Sequence, residues 1–374
     1  MSFAAAVELL EEGVERRVYA GAVLLVSRCG EVLLERAVGS RSLVPEPEPM
    51  RPDVVFDLSS LTKCLATTPA FLLLVRDRRV RLDDRVTRFF HNFGVHGKGA
   101  ATFRHLLTHS SGLAAHRPYY REIARLERRG RPNFVASSGA KEWVYEQIQR
   151  ERPEARPGER SIYSDLGFIL LGQTVETVSG QPLDRFCRER IFAPLGLRAL
   201  SFIDLGQVRA RRVAPIDRMI AATQRCPWRR RVLCGEVGDE NAYAMGGVAG
   251  HAGLFGSARD VDALALALER GLSGDGGLLP PELTRAMWTV DASVPGSTRT
   301  LGWDTPAPSG SAAGSRMSGR TVGHLGFTGT SLWLDLERGV HVVLLTNRGH
   351  PDRDNDRIRE WRPRIHDAVM EALA

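Results

Sequence analysis

Two kinds of apolar pattern follow one another along this 374-residue chain. Near the N-terminus, residues 21–39 are apolar and β-branched on both sides of a Cys-Gly pair, which predicts a β-hairpin. Near the C-terminus, residues 331–335 and 340–346 have the same character and are separated by a Glu-Arg-Gly turn. They predict a second pair of strands, so both ends of the chain are expected to contribute to a sheet.

Helical patterns occupy the middle of the chain. The serine pair at residues 59–60 can cap an apolar helix that continues over residues 63–75, in which Pro69 predicts a kink. Another apolar helix is predicted over residues 164–178, where Gly180 would end it. Further helices are predicted at residues 7–12, 82–90, 103–108, 258–268 and 354–373, and loops at residues 44–52, 119–132 and 309–319.

Strands from both ends and helices from the middle predict an α+β fold. We expect an antiparallel sheet built from both chain ends and flanked by helices, with a helical subdomain inserted in the middle. Residues 1–374 are predicted to form a single domain. Its sheet subdomain would take residues 1–58 and 246–374, and its helical subdomain residues 59–245.

Composition narrows the class of protein. Apolar residues make up 43% and charged residues 25% of the chain, which is ordinary for a globular protein. The net charge of +7 is mild, and the densest basic cluster, residues 228–231, lacks the pattern of a nucleic-acid site. We find no signal-like segment and no apolar run of membrane-spanning length. Five widely spaced cysteines without a Cys-x-x-Cys pair agree with a cytoplasmic protein.

Lysine occupies only three of the 51 basic positions, residues 63, 98 and 141. Arginine keeps its proton in proteins, whereas lysine can be tuned to release it. Lys63 follows Ser60 by three residues, which places amine and hydroxyl on one face of the predicted helix. A serine hydroxyl is a poor nucleophile unless a neighbour takes its proton. The spacing therefore predicts proton chemistry at Ser60.

Three further segments join this pair in a recognisable order. The sequence resembles the serine β-lactamase and penicillin-binding-protein superfamily, closest to its class C β-lactamase and esterase branch, over residues 21–347. The segments that carry the resemblance are residues 56–63 (FDLSSLTK), 106–113 (LLTHSSGL), 157–167 (PG followed by YSDLG) and 323–330 (GHLGFTGT). Each segment is weak alone, and their shared order makes the match specific.

The resemblance implies a serine hydrolase that acts through an acyl-enzyme on Ser60. Lys63 and Tyr163 would form a coupled acid–base pair, with Tyr163 protonating the leaving group, and which of them takes the serine proton stays open. The backbone N–H groups of Ser60 and Phe327 would form the oxyanion hole. No cofactor and no metal are expected.

Two departures from the family pattern concern the substrate. The third segment would line the substrate with His324 and Gly326, and His324 replaces the usual lysine with a side chain that is largely neutral at pH 7. Asp165 stands where β-lactamases usually have Asn, replacing an amide that can donate with an anion that cannot. Both changes disfavour an anionic β-lactam. An ester, an amide near a D-amino acid or a peptidoglycan fragment is the predicted substrate, with weak or no β-lactamase activity.

Several alternatives stay open. The chain could be a catalytically retired module that binds cell-wall fragments, or an acyltransferase that uses the same acyl-enzyme. Residues 239–255 resemble superfamily members found with peptidoglycan-recycling glycosidases, but their glycines could equally serve helix–sheet packing. The pair His105 and His109 lacks the glutamate of a zinc protease helix and is interpreted as structural. Nucleic acid and membrane are not expected partners, and the oligomeric state is not predicted.

Overall fold

A computed structural model describes residues 2–209 and 219–374. Its strands are β1 (Gly21–Arg28), β2 (Glu31–Ser42), β3 (Glu48–Pro49), β4 (Phe56–Asp57), β5 (Ser201–Phe202), β6 (Arg225–Cys226), β7 (Arg231–Val232), β8 (Leu254–Gly256), β9 (Thr321–Leu325), β10 (Ser331–Asp335) and β11 (Val340–Thr346).

The α-helices are α1 (Ala4–Glu15), α2 (Thr68–Arg76), α3 (Phe103–Leu107), α4 (Tyr119–Arg128), α5 (Ser138–Arg150), α6 (Asp165–Ser179), α7 (Leu183–Cys187), α8 (Leu205–Arg209), α9 (Glu240–Ala244), α10 (Ala258–Glu269), α11 (Pro281–Trp288) and α12 (Ile358–Ala372). Short 3₁₀ segments occur at Val86–Arg88, His91–Ala100 and Arg270–Leu272, and π-helical turns at Lys63–Thr67 and Arg188–Phe192. None of these helices has both the length and the apolar character needed to cross a bilayer, within the described residues.

The main sheet unites the two ends of the chain. Its six strands have the order β3-β2-β1-β11-β10-β9, and every neighbouring pair is antiparallel. Strand β1 from the N-terminal part pairs with β11 from the C-terminal part over seven registered positions, from Ala22 opposite Thr346 to Arg28 opposite Val340. The predicted α+β fold, with its antiparallel sheet built from both chain ends, is confirmed.

Both faces of the central strands β1 and β11 are buried. Leu24 and Val342 belong to one hydrophobic cluster with α1 and α12, whereas Val23 and Val343 belong to a larger cluster with the other helices. Burial on two faces explains why β1 and β11 are nearly continuous apolar runs. The edge strand β9 lies on the far side of the sheet from β3, and it borders the cavity described below.

The helix after Ser60 changes its type just before Pro69, where the sequence predicts a kink. Residues Lys63–Thr67 form a π-turn, closed by the Thr68 N–H that donates to the Lys63 carbonyl, and Pro69 lies in the first turn of α2. Proline has no N–H to donate to the preceding turn, so the change of helix type falls where a regular helix would lose a hydrogen bond. π-turns of this kind frequently occur at functional sites.

Several local predictions are confirmed. The β1–β2 hairpin turns at Cys29 and Gly30, which both have positive φ. Helix α6 begins after Ser164, whose side chain accepts the N–H of Gly167, and ends at the left-handed Gly180. Ser257 caps α10 in the same manner.

Other local predictions are wrong. Residues 82–90 are mainly turns with one short 3₁₀ segment rather than a helix, and residues 119–132, predicted as a loop, contain α4. In α4, Tyr119 and Ile123 are buried four residues apart, and this single apolar stripe was hidden among charged positions. The last helix starts at Ile358, later than predicted. The division into sheet and helical subdomains stays a prediction; the small sheet β4-β8-β5 draws strands from both sides of it.

Candidate active site

Ser60 lies between a residue with unusual backbone geometry and the start of a helix. Ser59 has a φ of +50°, a conformation that non-glycine residues rarely adopt and that is often found at functional sites. The carboxylate of Asp57 holds this backbone by accepting the N–H groups of Ser59 at 2.9 Å and Gly238 at 2.6 Å. Burial raises the pKa of Asp57 to about 6, although both N–H donors lower it. The Ser60 side chain is left partly exposed at the cavity.

Lys63 is fully buried, and its ammonium has three acceptors. The Nζ atom donates to Ser60 Oγ at 3.0 Å and to the carbonyl of His251 at 3.0 Å, and it forms an ion pair with Asp165 Oδ1 at 2.8 Å. An ammonium group has three N–H donors, so all of them are used. The predicted contact between Ser60 and Lys63 is present in the structure.

The charge of Lys63 is compensated from within the chain. Burial lowers the pKa of Lys63, but the neighbouring Asp165 carboxylate, followed by Tyr163, more than offsets this effect, so the net pKa is raised. Burial likewise raises the pKa of Asp165, but Lys63 and His116 outweigh it and bring that pKa well below its usual range. Both members of the pair are therefore charged at neutral pH, and Lys63 keeps its proton.

Tyr163 lies over the same ammonium. The Lys63 Nζ atom is 5.0 Å from the centroid of the tyrosine ring. His109 stacks on the ring at 4.5 Å between centroids, and its Nδ1 accepts the N–H of Ser164 at 2.9 Å. Burial lowers the pKa of His109 well below 6.5, so this neutral imidazole acts as a packing support for Tyr163.

The third predicted segment lies on β9 beside these residues. His324 is 5.9 Å from the Tyr163 ring between centroids, and burial, followed by the charges of Lys63 and Arg299, lowers the pKa of His324 to about 3. The imidazole is therefore neutral, as expected. Gly326 lines the cavity, and a Cβ there would come within 2.0 Å of the Thr330 hydroxyl. Only glycine allows this close approach.

The two predicted oxyanion donors differ in their surroundings. Among residues 2–209 and 219–374, the N–H of Ser60 has no hydrogen-bond acceptor. The N–H of Phe327 donates to Ser59 Oγ at 3.2 Å. That contact is long for a hydrogen bond and involves a side chain that can rotate. A substrate oxygen can therefore replace the Ser59 hydroxyl as the acceptor of this N–H. The sequence interpretation had not included Ser59 in the site.

Arg299 is the main cavity residue that the sequence interpretation missed. Its guanidinium lies 5.1 Å from the centroid of the Tyr163 ring and pairs with Asp304 at 3.0 Å. Asp304 is bridged to Gly323 of β9, which places the pair along the edge strand. The only sequence signal was an arginine in a loop, and this chain has many such arginines.

His251 and Asp239 complete the floor of the site. His251 Nε2 lies 3.0 Å from Asp239 Oδ1, and the His251 carbonyl accepts from Lys63. The glycine-rich segment that carries His251 packs directly on α6, since a Cβ on Gly250 would lie 2.0 Å from the Phe168 carbonyl. Gly250 thus serves close packing against a helix, and the resemblance of residues 239–255 to proteins found with peptidoglycan-recycling glycosidases stays a prediction.

One cavity of about 1220 Å³ connects these groups. This volume exceeds the ~300–1,000 Å³ that is typical of small-molecule pockets. Within the described residues, no cluster of three His, Cys, Asp or Glu side chains has an arrangement that could hold a metal ion. The structure places all predicted site residues along this cavity or at its floor: Ser60, Lys63, Tyr163, Asp165, His324, Gly326 and Phe327.

Comparisons with known sequences agree with this geometry. The family model described as Beta-lactamase matches residues 6–363. A protein named "Putative D-alanyl-D-alanine carboxypeptidase" from Escherichia coli K12 is 32% identical over 363 residues, which cover 89% of this chain and 79% of that protein. A protein of the same name from Salmonella agona is 30% identical and covers 90% of this chain and 80% of its own length.

Solved structures share the fold. A hydrolase with promiscuous acyltransferase activity, EstCE1, matches with a TM-score of 0.73 and 23% identity, covering 98% of this chain and 97% of its own. An octameric penicillin-binding protein homologue from Pyrococcus abyssi matches with a TM-score of 0.71 and 23% identity, covering 100% and 77%. A simvastatin synthase from Aspergillus terreus matches with a TM-score of 0.71 and 20% identity, covering 98% of both chains.

Proposed function

This chain belongs to the beta-lactamase family of serine hydrolases, and we propose that it cleaves an ester or amide through an acyl-enzyme on Ser60. The observation that carries the assignment of Ser60 is the buried Lys63 Nζ, which lies 3.0 Å from Ser60 Oγ and 2.8 Å from Asp165. A structural lysine would not require a partly exposed serine hydroxyl as one of its three acceptors. The retired-module alternative is disfavoured because all three residues proposed to act at the nucleophile, Ser60, Lys63 and Tyr163, are present.

The ion pair suggests how the proton moves. Asp165 keeps the proton on Lys63, so Lys63 orients Ser60 Oγ and stabilises negative charge that develops there. In this step the Tyr163 phenolate, beside the Lys63 ammonium, takes the serine proton while Ser60 Oγ bonds to the substrate carbonyl carbon and the C=O π electrons move onto the carbonyl oxygen. The same proton passes from Tyr163 to the leaving oxygen or nitrogen when the carbonyl–leaving-group bond breaks. Water later attacks the ester on Ser60 by the reverse proton path.

The oxyanion forms between the amides of Ser60 and Phe327. Both N–H groups belong to segments that backbone contacts fix in place: Gly326 N–H donates to the Thr330 carbonyl at 2.8 Å, and the Thr328 hydroxyl donates to the Asp57 carbonyl at 2.9 Å. Donors held in this manner need no reorganisation when charge develops on the substrate oxygen.

The charges around Ser60 favour a scissile group without an adjacent anion. His324 is neutral, Asp165 neutralises Lys63, and Asp304 neutralises Arg299. A β-lactam places its carboxylate close to the reacting amide, where this site offers no uncompensated cation. We therefore propose esters or amides of D-amino-acid or peptidoglycan-fragment type as substrates, with weak or no β-lactamase activity. The free thiols of Cys64, Cys187 and Cys226 agree with a cytoplasmic location.

The test is acylation followed by mass spectrometry. Wild-type protein mixed with 4-nitrophenyl acetate should gain one acetyl group on the peptide that contains Ser60, and Ser60→Ala should gain none. The neighbouring serine provides the matched comparison, because Ser59→Ala should still be acylated at Ser60. An acetyl group that persists in Ser60→Ala at a single other residue would sink the assignment.

An acyltransferase is the second candidate. The specific observation in its favour is the cavity volume of about 1220 Å³, which leaves room for an acceptor beside the acyl group. With added alcohols or amines, an acyltransferase would form the transfer product faster than it hydrolyses the donor. Product analysis at increasing acceptor concentration separates the two activities.

A further inference from the structure

Behind the end of β9, the cavity continues to a wall that the catalytic proposal does not use. This wall is formed by Trp333 of β10, by Arg348 after β11, and by Arg362 of α12. Arg362 is only 4% exposed, Arg348 7% and Trp333 3%. Two arginine side chains are thus almost completely removed from solvent while they line a cavity.

Neither of these arginines forms an ion pair with a carboxylate in the part of the chain that the structure describes, although Asp356 and Asp354 act on Arg348 from a greater distance. Arg348 donates to the carbonyls of Phe327, Arg353 and Asn355, all of them neutral groups. Within residues 2–209 and 219–374, Arg362 has a single long hydrogen-bond contact, 3.5 Å from Nη2 to the Thr330 carbonyl.

Other arginines of the chain are treated differently. Arg353, which lines the same cavity, pairs with Glu240, and the buried Arg229 pairs with Glu236. Each of these two arginines therefore has a carboxylate partner of the kind that Arg348 and Arg362 lack. Burying an uncompensated charge is costly because the charge loses its hydration without a replacement.

Two donors on this wall have no acceptor at all. The Nε of Arg362 and the indole Nε1 of Trp333 are buried and lack a hydrogen-bond partner among the described residues. A buried polar atom without a partner is uncommon in a native protein and calls for an explanation. Ten other buried side-chain atoms of the described residues also lack a partner, the indole Nε1 atoms of Trp288 and Trp303 among them, so the Trp333 indole alone is not specific. The orphan Nε of the charged Arg362, in one cavity with Arg348, is the observation that points to an absent acceptor with negative charge.

Trp333 fits into this wall because the residue opposite it on the neighbouring strand is a glycine. Gly323 lies opposite Trp333 in the β9–β10 register, and a Cβ on Gly323 would come within 2.2 Å of the indole. The glycine next to His324 therefore has a structural purpose on the opposite face of β9. It leaves the space beside β9 that the indole occupies.

We propose that this wall binds a carboxylate of the substrate, remote from the scissile bond and held by Arg362, Trp333 and Arg348. The proposal rests on the proposed hydrolase function and names its substrate class: acyl compounds with a second, anionic end. A guanidinium presents planar, paired N–H donors that match the two oxygens of a carboxylate. Asp354 and Asp356 also line the cavity, but both are exposed, so water screens them from a buried anion.

The wall is joined to the catalytic site through one short segment. Arg348 lies 4.3 Å from the centroid of the Phe327 ring and donates to the Phe327 carbonyl at 2.7 Å. Phe327 also supplies the second oxyanion donor. An anion on the wall and a carbonyl at Ser60 thus contact opposite sides of the same turn, which suits a ligand that curves around the end of β9.

The test uses Ser60→Ala protein, so that binding is measured without turnover. The probes are 4-nitrophenyl monoesters of dicarboxylic acids from succinate to suberate, each compared by calorimetry with its methyl-capped neutral form. We expect the best anionic ester to bind about ten- to a hundredfold more tightly than its neutral form, as for hydrogen bonds to charged groups. Adding Arg362→Met should abolish this preference. Adding Trp333→Phe, a milder change, should reduce it by about threefold.

Arg364→Met is the matched control, because Arg364 lies on the same helix but is 50% exposed and faces Trp361. It should leave the preference intact. Equal binding of anionic and neutral esters, or a preference that survives Arg362→Met, would overturn the proposal. So would competition by inorganic phosphate alone at millimolar concentration without any preference among the esters, which would indicate an adventitious ion only. If wild-type protein hydrolyses no ester while the preference persists, the proposed function fails and this site does not.

Discussion

Two cations are buried against the same cavity, and the protein treats them in opposite ways. Lys63 is 0% exposed and has three acceptors, one of them the carboxylate of Asp165. Arg362 is 4% exposed, with one long contact to a carbonyl and an orphan Nε. Both cations lose their hydration on burial. Of the two, Lys63 alone gains a carboxylate of the protein in its place.

This difference distinguishes residues that take part in the reaction from residues that bind the substrate. A residue that orients the nucleophile must keep its geometry with and without substrate, so its compensating charge is supplied by the protein itself. A residue that recognises a ligand can leave its compensation to that ligand, because the ligand then gains affinity from a charge already desolvated. By this criterion, Lys63 belongs to the reaction and Arg362 to substrate selection.

The largest expected effect is the loss of enzyme activity when Lys63 is replaced. Lys63→Met removes the amine that orients Ser60, and we expect kcat/KM for a neutral 4-nitrophenyl ester to fall by about a thousandfold or more. Lys141→Met is the matched control, since Lys141 also pairs with a carboxylate, Glu176 at 2.5 Å, on α5 away from the cavity. Near-normal turnover in Lys63→Met would remove Lys63 from the mechanism.

Replacing each cation by methionine tests whether the protein compensates its charge, because the two substitutions should change the free energy of unfolding differently. Lys63→Met leaves Asp165 without its partner and should lower the free energy of unfolding by about 3–5 kcal/mol. Arg362→Met removes an uncompensated charge and should leave it unchanged or raise it, by up to about 2 kcal/mol. Denaturant unfolding without ligand measures both. A large loss of stability in Arg362→Met would show that Arg362 is compensated by the protein after all.

This contrast could be only half predicted from the sequence. The Ser60–Lys63 spacing is local, and helix geometry fixes it whatever the rest of the fold does. The rarity of lysine made the pair visible. Arg362 carries no such signal, because this chain uses arginine at 48 positions and its burial depends on how α12 packs on the sheet.

The elements of the fold also differ in whether local sequence or tertiary contacts determine them. The strands β1, β10 and β11 and the helix α6 followed from apolar runs with clear turn and cap signals close by. Helix α4 and the turns at residues 82–90 did not, because their burial is decided by tertiary contacts: Tyr120 N–H, for example, donates to the Asn241 side chain at 3.0 Å. The pairing of Arg299 with Asp304 beside Tyr163 depends on the loop along β9 in the same way.

A third buried cation sharpens the comparison, because it is compensated yet lies outside the cavity. His341 of β11 contacts Asp262 at 2.9 Å and Glu269 at 3.1 Å. Burial lowers the pKa of His341, but the two carboxylates outweigh it and raise the pKa to about 9. Compensation alone therefore does not mark a catalytic residue.

The prediction for His341 concerns stability and pH. Its folded pKa lies above the ~6.5 of an unfolded histidine, so the stabilisation is complete below that pH and is lost as pH rises through about 9. His341→Gln should remove on the order of 2 kcal/mol of stability at pH 6 and much less at pH 10. The exposed His91→Gln serves as control. A difference between wild type and His341→Gln that does not change with pH would contradict the charge assignment.

The smallest expected effect comes from Asp165→Asn, which would leave Lys63, like Arg362, without a carboxylate partner. Asp165→Asn keeps the shape but removes the anion, so burial is then opposed by less negative charge and the pKa of Lys63 must fall. Any limb of the kcat/KM profile that reports deprotonation of Lys63 should move to lower pH by about one unit, a tenfold change in rate at fixed pH on that limb. Asp304→Asn, in the same cavity but paired with Arg299, should shift that limb less. An unshifted profile in Asp165→Asn would mean that the ion pair does not set the protonation of Lys63, and the base assigned to Tyr163 would lose its main support.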